Sequence, residues 1–101
     1  TGTTAAVNVR FLSRASTELV EAVGFYDEQR PGLGNELVSE LDFTLSIVKS
    51  FPTAWPIVRN DIRRALLARF PYGVLYRVSD NEITIAAFMD LRRDPSDVDN
   101  I

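Results

Sequence analysis

The stretch FPYGVLYRVSDNEITIAAFMD, residues 70–90, decides the fold of this chain. Apolar residues alternate in its first half, which predicts a strand over 72–79 with Tyr72, Val74 and Tyr76 on one face. A second strand is predicted over 82–90, and the same alternation places four of its residues on one face: Ile83, Ile85, Ala87 and Met89. The turn Ser79-Asp80-Asn81 leaves room only for a hairpin, so the two strands run antiparallel.

Another extended segment is predicted just before this hairpin, over residues 61–70. Its connection through Phe70-Pro71-Tyr72 is also tight, so the three strands form an antiparallel meander. Arg63 and Arg64 are adjacent, and both alternating sets of residues in this segment mix apolar with charged side chains. We expect a β-bulge in this segment as one solution and leave the register open.

A helical hairpin is predicted upstream of the meander. Apolar spacings of three and four residues from Ala15 to Tyr26 indicate an amphipathic helix that ends at Arg30-Pro31-Gly32. A second helix begins near residue 33 or 34 and closes before Pro52, with an apolar stripe formed by Leu37, Leu41, Leu45 and Val48. The short link makes the helices antiparallel neighbours. With a short strand over 7–11 in front, we predict an α+β fold of order β-α-α-β-β-β, a helical hairpin packed on a mainly antiparallel twisted sheet.

Composition limits the possible functions. The 101 residues fit one domain, assigned to 7–97, with a flexible N-terminus or expression remnant over 1–6 and a C-terminal tail over 98–101. Cysteine and histidine are both absent, which excludes disulfides, Cys/His zinc sites and nucleophile systems that rely on histidine. No run is apolar enough for a membrane span or a signal peptide, so we expect a cytoplasmic protein without a membrane partner. We expect no metal and no cofactor, because the C-terminal acids are more typical of a solvated tail: Asp90, Asp94, Asp97 and Asp99.

Charge is distributed unevenly along the chain, although the net charge is only −3. Residues 15–51 carry seven acidic side chains against Arg30 and Lys49, a net charge of −5. Residues 57–78 carry five arginines against Asp61, a net charge of +4. A nucleic-acid binder needs a basic face, so the acidic total argues against general nucleic-acid binding, whereas the arginine-rich segment indicates contact with a macromolecule.

Several short motifs occur in this order of elements: PGLG at 31–34, Pro52, IRRALLARFPYGVLY at 62–76 and LRRDP at 91–95. Together they make residues 7–97 resemble the RelE/ParE superfamily of toxins from bacterial type II toxin-antitoxin systems, which includes plasmid stabilisation proteins, and the ParE-like branch in particular. The resemblance implies growth inhibition, neutralised by a cognate antitoxin whose C-terminal segment wraps the toxin. It also implies a toxin-antitoxin hetero-oligomer or a homodimer.

The resemblance leaves the target open. ParE-like toxins block DNA gyrase, whereas RelE-like toxins enter the ribosome and cut mRNA, so only the second reading makes the chain an enzyme. Gly73 stands where RelE-like nucleases carry an arginine, and Asp99 stands where they carry a C-terminal tyrosine. Asp90 stands where many relatives carry histidine. The acidic total and the long hairpin favour gyrase, with the ribosome and mRNA, or an inactive antitoxin-binding member, as alternatives.

The resemblance and the charge pattern together predict site residues. Predicted target-binding residues are Arg63, Arg64, Arg69, Arg92 and Arg93, and Arg69 and Arg93 would be catalytic in a RelE-like nuclease. Predicted antitoxin-binding residues are Leu37, Leu41 and Arg77. The alternative reading is structural: charged side chains on exposed strands discourage aggregation, and arginines also form weak surface ion pairs.

Overall fold

The computed structural model describes residues 7–93, which form two helices and five strands. The elements in chain order are β1 (Asn8–Phe11), α1 (Ser13–Gln29), α2 (Leu33–Ser50), β2 (Ile57–Arg59), β3 (Ile62–Leu66), β4 (Tyr72–Ser79) and β5 (Glu82–Asp90). The strands form one sheet in the order β1-β5-β4-β3-β2, in which β1 is parallel to β5 and the other pairs are antiparallel. The predicted fold class is confirmed.

The helical hairpin covers one face of this sheet, and the main core lies between them. Leu37 and Val48 of α2 are fully buried there, together with Tyr76 of β4. Tyr72 of β4 stacks on Phe88 of β5 with ring centroids 4.6 Å apart. Burial of a large apolar side chain contributes roughly 1.5–3 kcal/mol, so this layer stabilises the attachment of the hairpin to the sheet.

The apex of the hairpin depends on two glycines. Gly32 has a φ of 90°, a left-handed conformation that glycine adopts without strain. A Cβ atom added to Gly34 would lie 2.8 Å from the carbonyl oxygen of Val23 and 2.8 Å from Asp27 Oδ1. The Gly34 amide instead donates a 2.8 Å hydrogen bond to that carboxylate. The PGLG motif therefore permits the close approach of α2 to α1.

The outer face of the sheet carries a second, smaller cluster of buried residues: Ile62, Leu75, Ala87 and Met89. The pairing of β4 with β5 shifts between Leu75 and Tyr76, and this irregularity leaves one extra residue, Ala86, in β5. Ile83 and Ile85 therefore belong to the helix-facing core, whereas Ala87 and Met89 belong to the outer cluster. The prediction that these four residues share one face was wrong, because a bulge reverses the alternation.

The region before β4 differs from the prediction in two ways. The predicted strand over 61–70 ends at Leu66, and a short strand, β2, precedes it and was missed. The bulge expected in the 61–70 segment was also wrong: β3 pairs regularly with β4, and the irregularity lies in β2 between Ile57 and Arg59. Asn60, with a φ of 52°, makes the tight turn between β2 and β3.

One glutamate of α1 extends the pairing of β5 beyond the end of β1. The last pair of the two strands is Phe11 with Ile85, and the amide of Leu12 donates to the Ile85 carbonyl. Further along β5, the Phe88 amide donates a 3.0 Å hydrogen bond to Glu18 Oε1. The carboxylate thus satisfies a partly buried amide that β1 is too short to reach.

The predicted segments 1–6 and 98–101, and the residues Asp94, Asp97 and Asp99, lie outside the described residues. Within residues 7–93, neither helix has the length and apolarity that crossing a membrane requires.

Candidate functional site

Three of the predicted target-binding arginines lie at one end of the sheet. The β3–β4 turn and the end of β5 are adjacent there, because Tyr72 pairs with Asp90 and the Leu91 amide donates to the Pro71 carbonyl over 2.8 Å. This arrangement brings Arg69, Arg92 and Arg93 to the same end of the molecule, which we call the arginine end.

Arg69 is held by carboxylates of α2. Its backbone amide donates to Glu40 Oε2 over 2.6 Å, and its Nε donates to Glu40 Oε1 over 2.8 Å. Its Nη1 also reaches Glu36 Oε1 over 3.4 Å. The Glu40 side chain is only 8% exposed. Burial alone would raise the pKa of Glu40, but the hydrogen bonds from Arg69 outweigh this effect and hold that pKa below its ordinary value.

Arg92 forms an equally close pair with Asp90. Nε and Nη2 of Arg92 donate to the two carboxylate oxygens over 3.0 and 2.9 Å, and the Arg92 amide adds a third bond of 2.9 Å. These side-chain hydrogen bonds lower the pKa of Asp90. The phenol of Tyr72 lies close to the pair, and its pKa is raised by burial and by the charge of Asp90.

A cavity of about 290 Å³ opens beside this pair, between α1 and β5. Arg93 and Arg14 line it together with Arg92, and so do the acids Glu18, Glu21 and Asp90. Because cations and carboxylates are present in equal number, the cavity has no strong charge of either sign. It fits a polar side chain of a partner better than a polyanion.

Aromatic rings connect the two arginine pairs. Arg69 lies over the ring of Phe70 at 5.6 Å, and Arg92 lies over the ring of Phe25 at 5.9 Å. Tyr26 contacts both rings edge to face, at centroid distances of 5.0 and 5.1 Å. Both arginines thus pack on a row of aromatic residues that joins the hairpin to the sheet, and their side chains stay more than half exposed.

The adjacent arginines of β3 point to opposite faces of the sheet. Nη1 of Arg63 donates to the carbonyls of Thr53 and Trp55 over 3.1 and 2.6 Å, so this side chain fastens the loop between α2 and β2. The aliphatic part of Arg64 instead covers Gly73 on the outer face. The five predicted target-binding residues therefore do not form one surface: Arg63 anchors a loop, Arg64 covers the outer face, and the other three lie at the arginine end.

The predicted antitoxin-binding residues are also separated. Leu37 and Leu41 are 0% and 2% exposed, so the chain itself covers them. Arg77 lies on β4, where its Nε donates to both carboxylate oxygens of Asp61 over 3.0 and 2.9 Å. The exposed surface of α2 is formed by other residues.

An apolar groove beside α2 was missed by the sequence reasoning. It has a volume of about 380 Å³ and is lined by Phe43, Ile47, Trp55 and Leu66, with Thr44, Ala68, Glu40 and Arg69 around them. Phe43 is 66% exposed and Leu66 is 44% exposed. The spacing of Phe43 and Ile47, four residues apart and outside the buried stripe of α2, was the available signal.

Comparison with known proteins extends the fold description. Neither protein-family models nor curated proteins give a match. Among solved structures, the chain is similar to a chain of the chromosomal ParDE toxin-antitoxin system from P. aeruginosa, with a TM-score of 0.67 and 18% sequence identity. The similarity covers 84% of this chain and 96% of that chain. The resemblance predicted from the sequence motifs is thereby confirmed at the level of the fold.

Proposed function

We propose that this chain is the toxin component of a type II toxin-antitoxin module. The observation that carries the proposal is the fold match to a chain of the ParDE system, which extends over nearly the whole length of that chain. The sequence motifs support it independently, since PGLG forms the hairpin apex and LRRDP begins at the arginine end. Expression without an antitoxin is expected to arrest growth, and unimpaired growth would contradict the proposal.

The proposed target is DNA gyrase, bound through the arginine end. Arg92 and Arg93 are exposed there beside a cavity that is neutral overall, a combination suited to a polar protein surface. The RelE-like alternative needs catalytic groups that converge on one phosphodiester. Two observations argue against this alternative. The Arg69 guanidinium is already hydrogen-bonded to Glu40 and Glu36, and Gly73 contributes no side chain to the outer face.

Two assays separate these targets. Purified protein should inhibit supercoiling by gyrase, and Arg93→Ala should weaken inhibition roughly tenfold, the usual scale for one interface arginine. Arg77→Ala is the matched control, because Arg77 is also an exposed arginine but lies on another part of the sheet. Intact supercoiling together with codon-dependent cutting of mRNA in a translation extract would instead support the ribosome-dependent endonuclease. Binding of an antitoxin without any growth arrest would support the inactive alternative.

We further propose that the antitoxin places an apolar segment in the groove beside α2. A partner segment would cover the exposed parts of Phe43 and Leu66, as apolar furrows commonly bind helices or strands of partners. Trp55 Nε1 is buried beside this groove and has no hydrogen-bond acceptor in the described part of the chain. Since Trp55 is the one tryptophan of the sequence, its fluorescence reports on the groove directly. An antitoxin that leaves this emission unchanged would contradict the proposed docking site.

A further inference from the structure

Asp90, the last residue of β5, orders the segment that follows the strand. The next three backbone amides all have acceptors. The Leu91 amide donates to the Pro71 carbonyl over 2.8 Å. The Arg93 amide donates to the Asp90 carbonyl over 3.1 Å, and the Arg92 amide donates to Asp90 Oδ1 over 2.9 Å. Asp90 thus supplies two of the three acceptors, one from its backbone and one from its side chain, and closes a tight turn at the arginine end.

The two arginines of this turn differ in what they contact. Arg92 donates from Nε and Nη2 to the two carboxylate oxygens of Asp90, and it also lies over the Phe25 ring. A forked pair of this kind fixes both the position and the plane of the guanidinium group. Arg93 is exposed, lines the cavity beside α1 and forms no ion pair with any residue of 7–93. A partner can therefore bind Arg93 without breaking an existing pair, whereas binding the fork atoms of Arg92 would release Asp90.

From these contacts we infer that Asp90 is a positioning residue of the arginine end: it holds the turn and Arg92 in place, and thereby presents Arg93 to the target in a fixed position. The inference rests on the proposed function, since it takes Arg93 as the contact with the target. The Asp90 side chain is only 17% exposed, so its carboxylate faces the turn and not a partner. A turn that is ordered before binding loses less conformational entropy when the target binds.

Backbone ¹⁵N relaxation of the full chain tests the positioning directly. Asp90→Ala removes the acceptor of the Arg92 amide and guanidinium, so the order parameters of the Arg92 and Arg93 amides should fall from about 0.85 to below about 0.6. Asp90→Asn keeps a side-chain oxygen for the amide but loses the charge, and should give intermediate values. Asp61→Ala is the matched control, because Asp61 also pairs with an exposed arginine, Arg77, at the other end of β3. It should leave these order parameters unchanged.

A double-mutant cycle in the gyrase supercoiling assay tests whether Asp90 acts through Arg93. Asp90→Ala should weaken inhibition by about three- to tenfold, and the double variant with Arg93→Ala should be no weaker than Arg93→Ala alone. If Asp90 contacted the target itself, the two losses would multiply. Arg92→Lys keeps the positive charge but cannot form the fork, so it should also weaken inhibition. Thermal melting should show that every variant is folded at the temperature of the assay.

The outcomes separate this inference from the proposed function. Arg92 and Arg93 amides that stay rigid in Asp90→Ala would overturn the inference, and so would losses that multiply in the double variant. Inhibition by Asp90→Ala equal to that of the wild-type chain would overturn it as well, while leaving gyrase as the target. A wild-type chain that does not inhibit supercoiling would instead contradict the proposed target. The relaxation measurements use the chain alone, so in that case they still decide whether Asp90 holds Arg93 in place.

Discussion

Replacing Glu40 by alanine removes the buried carboxylate that fastens the β3–β4 turn to α2. Glu40 accepts two short hydrogen bonds from Arg69, one from its backbone amide over 2.6 Å and one from its Nε over 2.8 Å. The carboxylate is 8% exposed, whereas the Arg69 side chain is 61% exposed. The two partners are therefore unequal: without Glu40 the guanidinium is still hydrated, but the amide of Arg69 loses its acceptor.

The magnitude follows from this inequality. A hydrogen bond to a charged group contributes about 1.5–3 kcal/mol, and this range applies to the bond from the partly buried amide. The guanidinium contact resembles a surface ion pair, worth about 0–1 kcal/mol. Glu40→Ala should therefore lower the free energy of unfolding by about 2–3 kcal/mol, which corresponds to roughly 10–20 °C in Tm for a domain of this size. Arg69→Ala keeps the amide donor but leaves the buried Glu40 carboxylate without its guanidinium partner, so it should lower the free energy of unfolding by about 1–3 kcal/mol and raise the pKa of Glu40.

The pH dependence gives a second measure of the same contact. The pKa of Glu40 in the folded chain lies below its ordinary value of 4.5, so the carboxylate stabilises the fold fully above that value. The stabilisation is lost as the pH falls through the folded-state pKa. Urea unfolding should thus show a large difference between the wild-type chain and Glu40→Ala at pH 7, and this difference should shrink as the pH falls below 4.5. A difference between the wild-type chain and Glu40→Ala that does not change with pH would refute this account of the contact.

Two further predictions concern the hairpin and the sheet edge. Gly34→Ala should lower the free energy of unfolding by about 2–4 kcal/mol, because the helices must separate to admit the new Cβ atom. Gly24→Ala should raise the free energy of unfolding by about 0.5–1 kcal/mol, because nothing lies within 4 Å of its new Cβ atom. Thermal melting of the two variants checks both signs. Glu18→Ala should cost about 1–3 kcal/mol because the Phe88 amide loses its acceptor, and the exposed Glu21→Ala should cost less than about 0.5 kcal/mol. Faster hydrogen exchange of the Phe88 amide in Glu18→Ala, but not in Glu21→Ala, would identify the cause.

The elements that sequence reasoning predicted well are those whose signals are local. Turn-forming residues predict the hairpin apex at Gly32 and the tight turn at Asp80. The spacing of apolar residues at intervals of three and four predicts the long buried stripe of α2. The face assignment beyond Ile85 failed because a bulge adds one residue without any special residue type to mark it. The strand β2 was missed because three residues are too few for a periodic pattern, although Asn60 at a positive φ does mark its turn.

The candidate site was harder to predict than the fold because side-chain function depends on contacts between distant residues. Arg63 and Arg64 are adjacent in sequence, yet one fastens a loop and the other covers Gly73 on the opposite face. Leu37 and Leu41 form an apolar stripe, but only the fold shows that this stripe is covered while Phe43 on the same helix is exposed. The spacing of apolar residues in the sequence identifies one face of a helix. Whether that face is exposed depends on which other elements of the fold cover it.

The charge separation along the sequence is largely neutralised in the folded chain, and this has a consequence for the target. Arg69 pairs with two acids of α2, Arg77 pairs with Asp61, and Arg92 pairs with Asp90. Arg64 and Arg93 take part in none of these three ion-paired groups, so their guanidinium groups can contact a partner without breaking one of them.

A nucleic-acid target bound at the arginine end through Arg93 would show a slope of about −0.9 for log affinity against log salt, since each neutralised phosphate contributes about that much. Binding to gyrase, measured at 50 and 200 mM salt, should therefore weaken by no more than roughly tenfold. A loss of a thousandfold or more would mean that the ion pairs open to contact phosphates, and would favour the RNA-directed alternative over a protein target.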